Sequence, residues 1–227
     1  GKGKSTLLKT VVGEINPLGG SYQFGNRVDF AYFDQHKAVN QKFDPEQTVL
    51  DYFWSLYPNL LRNDVRSALG AFLFSGEDVE KKMGQLSGGE KVRLELCRIF
   101  YTKPNFLILD EPTSGLSPDL DRSMMELCRK LSHQNCTVLM VTHNMSNINL
   151  CDKIAFLGVG GVLCYYGAPE KLNDYFDVEM TSDIFEKLRD PAQIEHYREK
   201  YFTTPEFNRL LAVCPEAAQE ADKRCSQ

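Results

Sequence analysis

The sequence predicts an α/β fold with a mainly parallel sheet flanked by helices. Short β-rich runs alternate with helical patterns, which is the order of strands joined by crossover helices. Two runs, 106–109 and 137–141, are apolar throughout, as expected of central parallel strands covered on both faces. Between these runs, apolar residues recur at helical spacing and predict a helix that packs against the sheet. They are Leu120, Met124, Leu127 and Leu131.

Local signals predict the remaining elements. Helices are predicted at 4–12, 169–176, 182–201 and 204–213. The stretch 47–73 is predicted to be helical with breaks at Pro58 and Gly70, and strands are predicted at 20–25 and 28–33. The runs KIAFLG and GVLCYYG predict an antiparallel pair that turns at Gly160–Gly161.

Composition limits the possible classes of protein. The 227 residues, 42% hydrophobic with a net charge of −5, predict one soluble globular domain or one domain with a tail. No apolar run approaches the ~20 residues that span a bilayer, and the start at Gly1 argues against a signal peptide. The seven cysteines include no C-x-x-C pair, which argues against zinc and redox motifs and favours a reducing cytosol.

The chain begins with GKGKST, the latter part of a phosphate-binding loop of the form G-x-x-x-x-G-K-[ST]. Gly1 and Gly3 leave backbone N–H groups free to surround phosphate oxygens, and a helix follows whose positive end faces the anion. We expect Lys4 to reach the β- and γ-phosphates of ATP and Ser5 to ligate Mg²⁺, with Thr6 beside it. The alternative is a turn rich in glycine and lysine that merely caps a helix.

Five further stretches identify the family that the chain resembles. They are YFDQ (32–35), QLSGGEKVR (85–93), LILDEP (107–112), TSGLSPD (113–119) and VTHN (141–144). Their order and spacing behind GKST resemble those of the ATP-binding-cassette (ABC) ATPases over residues 1 to about 167. The resemblance implies a P-loop NTPase core at 1–167, a helical signature subdomain at about 44–100 and a C-terminal helical extension at 168–227.

The resemblance also implies roles for residues at the strand ends. Asp110 would help to hold Mg²⁺, together with Ser5 and Gln35, and Glu111 would act as the general base for water. His143 resembles the switch histidine that contacts the γ-phosphate, and Gln35 resembles the Q-loop glutamine. The alternatives are a solvated carboxylate at Glu111 and a merely structural histidine.

The stretch LSGGE predicts a helix start with two readings that are compatible. Ser87 is a natural N-cap, and Glu90 three residues later completes a capping box. In ABC proteins the same helix terminus, here Ser87, Gly88 and Gly89, clamps the γ-phosphate held by a second ABC ATPase domain. The resemblance therefore implies a head-to-tail dimer in which each domain completes the active site of the other.

Two subfamilies are represented in the sequence. Residues 1–113, including GAFLFSGEDV before the signature, resemble the ABC-F proteins, cytosolic ATPases that act on the ribosome. Residues 114–227 resemble the G-type and forkhead-associated-domain exporters. ABC-F chains usually carry N-H-L-D after EPT, which is absent here, and Ser117 stands where the exporter D-loop has aspartate. We interpret the shared LDEPT as the position of a crossover.

Three functions are therefore open. The first is an ATP-hydrolysing domain that powers a transporter through a transmembrane partner domain at the cytoplasmic face of a membrane. The second is a cytoplasmic ribosome-associated factor, and the third is a fragment that binds or dimerises without turnover.

The resemblance also implies that the fold lacks its first strands, including the one that feeds the phosphate loop. We therefore expect an unpaired sheet edge beside strand 137–141.

Overall fold

A computed structural model describes residues 3–213. The chain divides into two compact units, one formed by Leu7–Asn144 and one by the described residues of Gly1–Thr6 and Met145–Gln227. The boundary between an ATPase core at 1–167 and a C-terminal helical extension at 168–227 stays a prediction. No helix within 3–213 combines the length and apolar character needed to cross a membrane.

The described helices and strands occur in mixed order, as predicted for an α/β fold. The α-helices are α1 (Lys4–Val11), α2 (Gln35–Asn40), α3 (Val49–Leu56), α4 (Arg62–Ala71), α5 (Gly88–Tyr101), α6 (Pro118–Ser132), α7 (Leu172–Phe176), α8 (Ile184–Lys187), α9 (Pro191–Phe202) and α10 (Pro205–Val213). The strands are β1 (Phe30–Asp34), β2 (Phe106–Asp110), β3 (Thr137–Val141), β4 (Ile154–Leu157) and β5 (Leu163–Gly167). Short 3₁₀ turns occur at Gly76–Glu80, Met83–Gln85, Ile148–Leu150, Pro169–Lys171 and Thr181–Asp183.

The larger unit contains a three-stranded parallel sheet in the order β1-β2-β3. The two predicted central strands therefore lie side by side. The middle strand is buried as expected, because Leu107, Ile108 and Leu109 are each 0% exposed. The apolar run of β2 is therefore explained by burial of the strand on both faces of the sheet.

Strand β3 is less buried than its apolar sequence predicts. Leu139, the register partner of Ile108 in β2, is 39% exposed, and Thr137 is also exposed. Within residues 3–213, β2 is the sole strand paired with β3. The expectation of full coverage is therefore wrong for this strand, because burial depends on what neighbours it and not on its own composition.

The helical region of the larger unit is joined across a short backbone bridge. Met83 N–H donates to the carbonyl of Gln47 at 2.8 Å, and Gly84 N–H donates to that of Pro45 at 3.1 Å. A Cβ at position 84 would lie 2.9 Å from the Cβ of Pro45, so glycine allows this close approach. The segment just before α5 is thereby fixed against the segment just before α3.

One hydrophobic core joins this helical region to the sheet. Its buried members come from α3, α4 and α5 and from β1 and β2, and they include Phe53, Leu69, Leu96, Phe33 and Leu107. Met124 and Cys128 of α6 belong to the same core, and Leu127 and Leu131 pack against it. Three of the four residues of the predicted apolar stripe on α6 are therefore confirmed as core or as packed against it, while Leu120 is half-buried.

The second unit contains the predicted antiparallel pair, β4 with β5. Gly160 and Gly161 have φ values of 86° and 80°, so the turn uses the left-handed backbone that glycine adopts readily. Its core is aromatic, and Phe176 and Tyr197 lie with ring centroids 4.7 Å apart. Burial is the largest cause that raises the pKa of Tyr165, to about 12.

Two sequence predictions of secondary structure are wrong. Residues 20–25 form no strand, whereas the helix break predicted at Gly70 is displaced by only one residue, to the end of α4 at Ala71. The predicted helix at 182–201 is two helices, because Asp190 caps a new helix at Pro191 through a hydrogen bond from Ala192 N–H at 3.1 Å. Proline at the first helical position favours a helix start, which explains the break.

Candidate nucleotide-binding and catalytic site

The carboxyl ends of the parallel strands place the predicted catalytic side chains at one edge of the sheet. In the register of the sheet, Asp34 of β1 lies opposite Asp110 of β2, and Asp110 lies opposite Val141 of β3. Gln35 and Glu111 follow directly after the first two of these residues. Parallel strands therefore bring together groups that are far apart in sequence.

Glu111 and His143 are in direct contact at this edge. The distance from His143 Nδ1 to Glu111 Oε2 is 2.5 Å, and the side chains are 65% and 27% exposed, respectively. Glu111 has φ of 54°, in the left-handed region that a residue with a Cβ rarely adopts. Its N–H donates to the carbonyl of Val141 at 2.9 Å, which holds the turn in place after β2. The strained backbone thus directs the carboxylate along the edge toward the histidine.

Gln35 bonds to the loop that follows Glu111. Its Nε2 donates to the carbonyl of Ser114 at 2.7 Å, and the amide oxygen is the acceptor end of the same side chain. Ser117, at the D-loop position, is the N-cap residue of α6 by its backbone, yet its side chain makes no capping hydrogen bond. The glutamine therefore links the end of β1 to the segment between β2 and α6.

Asp34 is a site residue that was not singled out from the sequence. It is 7% exposed, its carboxylate accepts from the N–H groups of His36 and Lys37, and Lys9 lies 3.3 Å away. Burial raises the pKa of Asp34, but hydrogen bonds from the Lys37 N–H and from Lys9 outweigh burial and lower it overall. Its position between a strand and a helix is a typical N-cap signal that would have predicted the role.

The carboxyl edge carries negative charge. Burial, followed by the nearby carboxylates of Asp34 and Asp110, raises the pKa of the Tyr32 hydroxyl. Such an environment disfavours a further anion and favours a cation. The groups at this edge are therefore suited to a divalent metal ion.

The residues present fit Mg²⁺ in their chemistry. Asp110, 6% exposed, supplies a carboxylate at the strand end, and Gln35 supplies an amide oxygen. Mg²⁺ is bound by one or two protein oxygen ligands together with phosphate and water oxygens. The described residues contain no cluster of three or more histidine, cysteine, aspartate or glutamate side chains suited to a metal. A magnesium ion shared with a bound phosphate matches this sparse donor set better than a dedicated metal cage.

The phosphate-loop residues lie at the start of α1. Gly3 precedes the helix with φ of 114°, and Lys4, Ser5 and Thr6 form its first turn. Gly1 lies outside the described residues. A helix N-terminus with a preceding glycine is the expected phosphate-binding element. That these residues share one nucleotide with the carboxyl edge stays a prediction.

The signature stretch begins α5, as predicted. The Ser87 side chain accepts from Glu90 N–H at 3.3 Å, and Ser87 N–H donates to the Glu90 carboxylate at 2.8 Å. This reciprocal pair is a capping box. A Cβ at Gly89 would lie 3.2 Å from Leu116 Cδ2, so the helix start is close to the D-loop segment.

Comparison with known proteins agrees with this geometry. The profile of the family described as ABC transporter matches residues 1–114. The chain belongs to this family. The match contains the phosphate-loop residues, the signature stretch and strand β2, which ends directly before Glu111. The α/β fold is therefore that of a P-loop NTPase, and the domain is a nucleotide-binding ABC ATPase domain.

Individual relatives extend the similarity beyond the profile match. YdiF of Bacillus subtilis is 38% identical over 200 residues, which cover 86% of this chain and 30% of YdiF. The ATP-binding protein Uup of Escherichia coli is 34% identical over 200 residues, which cover 85% of this chain and 29% of Uup. The ABC transporter ATP-binding/permease protein Rv1747 of Mycobacterium tuberculosis is 31% identical over 206 residues, with 84% and 24% covered.

These relatives bear on the interpretation of a crossover. The chain spans less than a third of the length of each of the three. Because each match covers at least 84% of the chain, each extends across Thr113. Proteins named as ATP-binding and as ATP-binding/permease are therefore both similar on both sides of the predicted join.

Proposed function

We propose that this domain hydrolyses ATP and powers a transporter through ATP-driven dimerisation. The contact between Glu111 and His143 carries the proposal, because a carboxylate lies beside an imidazole at the carboxyl edge of the sheet. Phosphoryl transfer depends on positioning and charge neutralisation more than on covalent chemistry. The side chains of Glu111, His143 and Gln35 are held in fixed positions at this edge, as such positioning requires.

Glu111 acts as the general base in this proposal. Its carboxylate removes a proton from the water that attacks the γ-phosphate, and the Nδ1 group of His143 holds it in a fixed direction. Gln35 is held by its hydrogen bond to the carbonyl of Ser114, and its amide oxygen helps to orient the attacking water. In this proposal the three side chains, at the start of α2 and in the loops after β2 and β3, define the position of the attacking water.

Lys4 and the helix N-terminus after Gly3 hold the phosphates in this proposal. Gly1 would contribute a further N–H group. Ser5, Asp110 and Gln35 hold Mg²⁺, which neutralises charge on the phosphate oxygens when it is bound. Thr6 stands beside Ser5 in the same helical turn.

A second ABC ATPase domain completes the site. Ser87, Gly88 and Gly89 form the exposed start of α5, a helix of 14 residues whose N-terminus favours an anion. In a head-to-tail dimer this terminus clamps the γ-phosphate held by the partner domain, and the reverse contact closes the second site. Hydrolysis then releases the clamp.

Similarity to an ATP-binding/permease protein favours a transmembrane partner domain at the cytoplasmic face of a membrane. The alternative is a cytoplasmic ribosome-associated factor of the ABC-F type. It is supported by the resemblance of residues 1–113, which include the helical region that contains α3, α4 and α5. Co-purification of the full-length protein with membranes or with ribosomes distinguishes the two partners.

The variant Glu111→Gln tests the catalytic proposal in the full-length protein. It keeps the shape of the side chain but removes the base, so we expect hydrolysis to fall by about 10²-fold or more. ATP binding should persist, and an ATP-bound dimer should accumulate in sedimentation velocity. Glu126→Gln, on the exposed face of α6, is the matched control. Unchanged turnover in Glu111→Gln would assign the base to another residue.

A further inference from the structure

The signature helix carries a carboxylate at the place where it is proposed to receive phosphate. Glu90 Oε2 accepts from both the N–H and the hydroxyl of Ser87, each at 2.8 Å. Its side chain is 14% exposed. An anion bound by Ser87 would therefore approach a negative charge that is already hydrogen-bonded to the same residue. Like charges at this distance oppose binding.

Lys81 is the cation that faces this carboxylate. Its Nζ lies 2.9 Å from Glu90 Oε1 and 2.7 Å from Asp78 Oδ1. Partial burial raises the pKa of Glu90, but the hydrogen bonds from Lys81 and then from Ser87 outweigh burial and lower it to about 2. Glu90 is thus ionised at neutral pH, and its charge must be balanced by a neighbour.

The backbone fixes where Lys81 stands. Its carbonyl accepts from Val49 N–H at 3.0 Å, and the bridge between Gly84 and Pro45 lies three residues further along. The lysine therefore projects from an anchored segment toward the first turn of α5. Its neighbour Lys82 projects from the same segment but pairs with Glu46, at 2.5 Å from Glu46 Oε2.

We propose that Lys81 is a positioning residue for the phosphate clamp, because it neutralises Glu90 so that the start of α5 accepts the γ-phosphate held by a second ABC ATPase domain. This inference rests on the proposed dimeric function. Without Lys81, the ionised carboxylates Glu90 and Asp78 would stand beside the clamp with no cation between them. Lys82, whose partner lies on another segment, has no such role.

The experiment measures dimerisation of the full-length protein by sedimentation velocity in Mg-ATPγS, and binding of the same nucleotide at low protein concentration. In Lys81→Met, we expect the dimer dissociation constant to rise by about tenfold, because like charges across an interface are costly. Nucleotide affinity of the monomer should stay within about twofold, since the variant leaves the phosphate-loop residues intact. Lys82→Met is the matched control and should leave both quantities unchanged.

Charge rescue separates this role from a structural one. Lys81→Met combined with Glu90→Gln should restore dimerisation, because glutamine keeps the capping box but has no charge to neutralise. Lys81→Arg should also dimerise as the parent does. Equal behaviour of Lys81→Met and Lys82→Met, or no rescue by Glu90→Gln, would overturn the inference alone. If the parent forms no ATPγS-dependent dimer, the proposed function fails and the inference fails with it.

Discussion

Two carboxylates, Glu111 and Glu90, show how one side-chain type serves different purposes in the same unit. Glu111 follows a buried strand in a left-handed backbone conformation and contacts a histidine that is 65% exposed. Glu90 lies in the first turn of a helix and accepts three hydrogen bonds, two from Ser87 and one from Lys81. The two carboxylates therefore differ in the number of their hydrogen-bond donors and in the presence of a lysine among the donors to Glu90.

The difference explains which carboxylate can accept a proton. Donors that remain protonated at neutral pH hold Glu90 in its ionised form, and they lower its pKa to about 2 against the effect of burial. Among the described residues, Glu111 pairs with the exposed ring of His143 and with no lysine or arginine side chain. A base must take up a proton during each turnover, so the site with the fewer fixed donors is suited to catalysis.

Removal of His143 tests the catalytic half of this comparison most strongly. His143→Ala should lower the ATPase kcat by about 10²-fold, because Glu111 loses the group that orients it. ATP affinity should change little. The control is His133→Ala, at the exposed C-terminus of α6. A steady-state assay in which both variants match the parent would show that the contact is not used in catalysis.

The helix that carries Glu90 depends on its buried face. Leu96 of α5 is 0% exposed, so Leu96→Ala should lower the free energy of unfolding by about 2–5 kcal/mol. Leu61, 72% exposed, provides a matched control, and Leu61→Ala should change it by less than about 0.5 kcal/mol. Urea denaturation of both variants measures the difference. Similar losses would show that α5 is not anchored by this core.

Acid titration tests the smallest expected effect. The pKa of Glu90 is lower in the folded protein, at about 2, than its ordinary value of 4.5, so its stabilising contribution is present above about pH 4.5. That contribution is lost as pH falls toward 2. Glu90→Gln should therefore be less stable than the parent at pH 7 by about 1–2 kcal/mol, after a discount for solvent screening. The gap should narrow toward pH 3 in denaturant titrations, and a constant gap would contradict this assignment.

Much of the fold was predictable because its signals are local. The apolar runs of β2 and β3 predicted two adjacent strands, and paired glycines predicted the β4–β5 turn. The half-exposure of Leu139 was not predictable, because an apolar run does not reveal which neighbours cover it. The absence of a strand at 20–25 was not predictable either, because a β-rich run forms a strand only where a neighbouring strand pairs with it, and these residues are mostly exposed.

The site was predictable to the extent that its residues follow recognisable stretches. Glu111, His143 and Gln35 were all singled out, and the structure brings them to the carboxyl edge of one sheet. Asp34 and Lys81 were not, although Asp34 lies inside the recognised stretch YFDQ and Lys81 lies four residues before QLSGGEKVR. The N-cap position of Asp34 could have been read from the sequence, but its pairing with Lys9 could not, because a single sequence does not disclose pairs of residues that are distant along the chain.

The outer edge of β3 has a consequence for how the protein behaves in concentrated solution. Within residues 3–213, the backbone on that side faces no other strand, and Leu139 leaves an apolar side chain partly exposed nearby. Such an edge is a template for any extended chain that it meets, including a partly unfolded copy of itself. In a segment limited to residues 3–213, aggregation by addition at β3 would grow with protein concentration without requiring global unfolding, whereas a strand supplied by a longer chain would cover this edge. A lysine at position 139 would oppose such growth, because charge on an edge strand keeps other chains away.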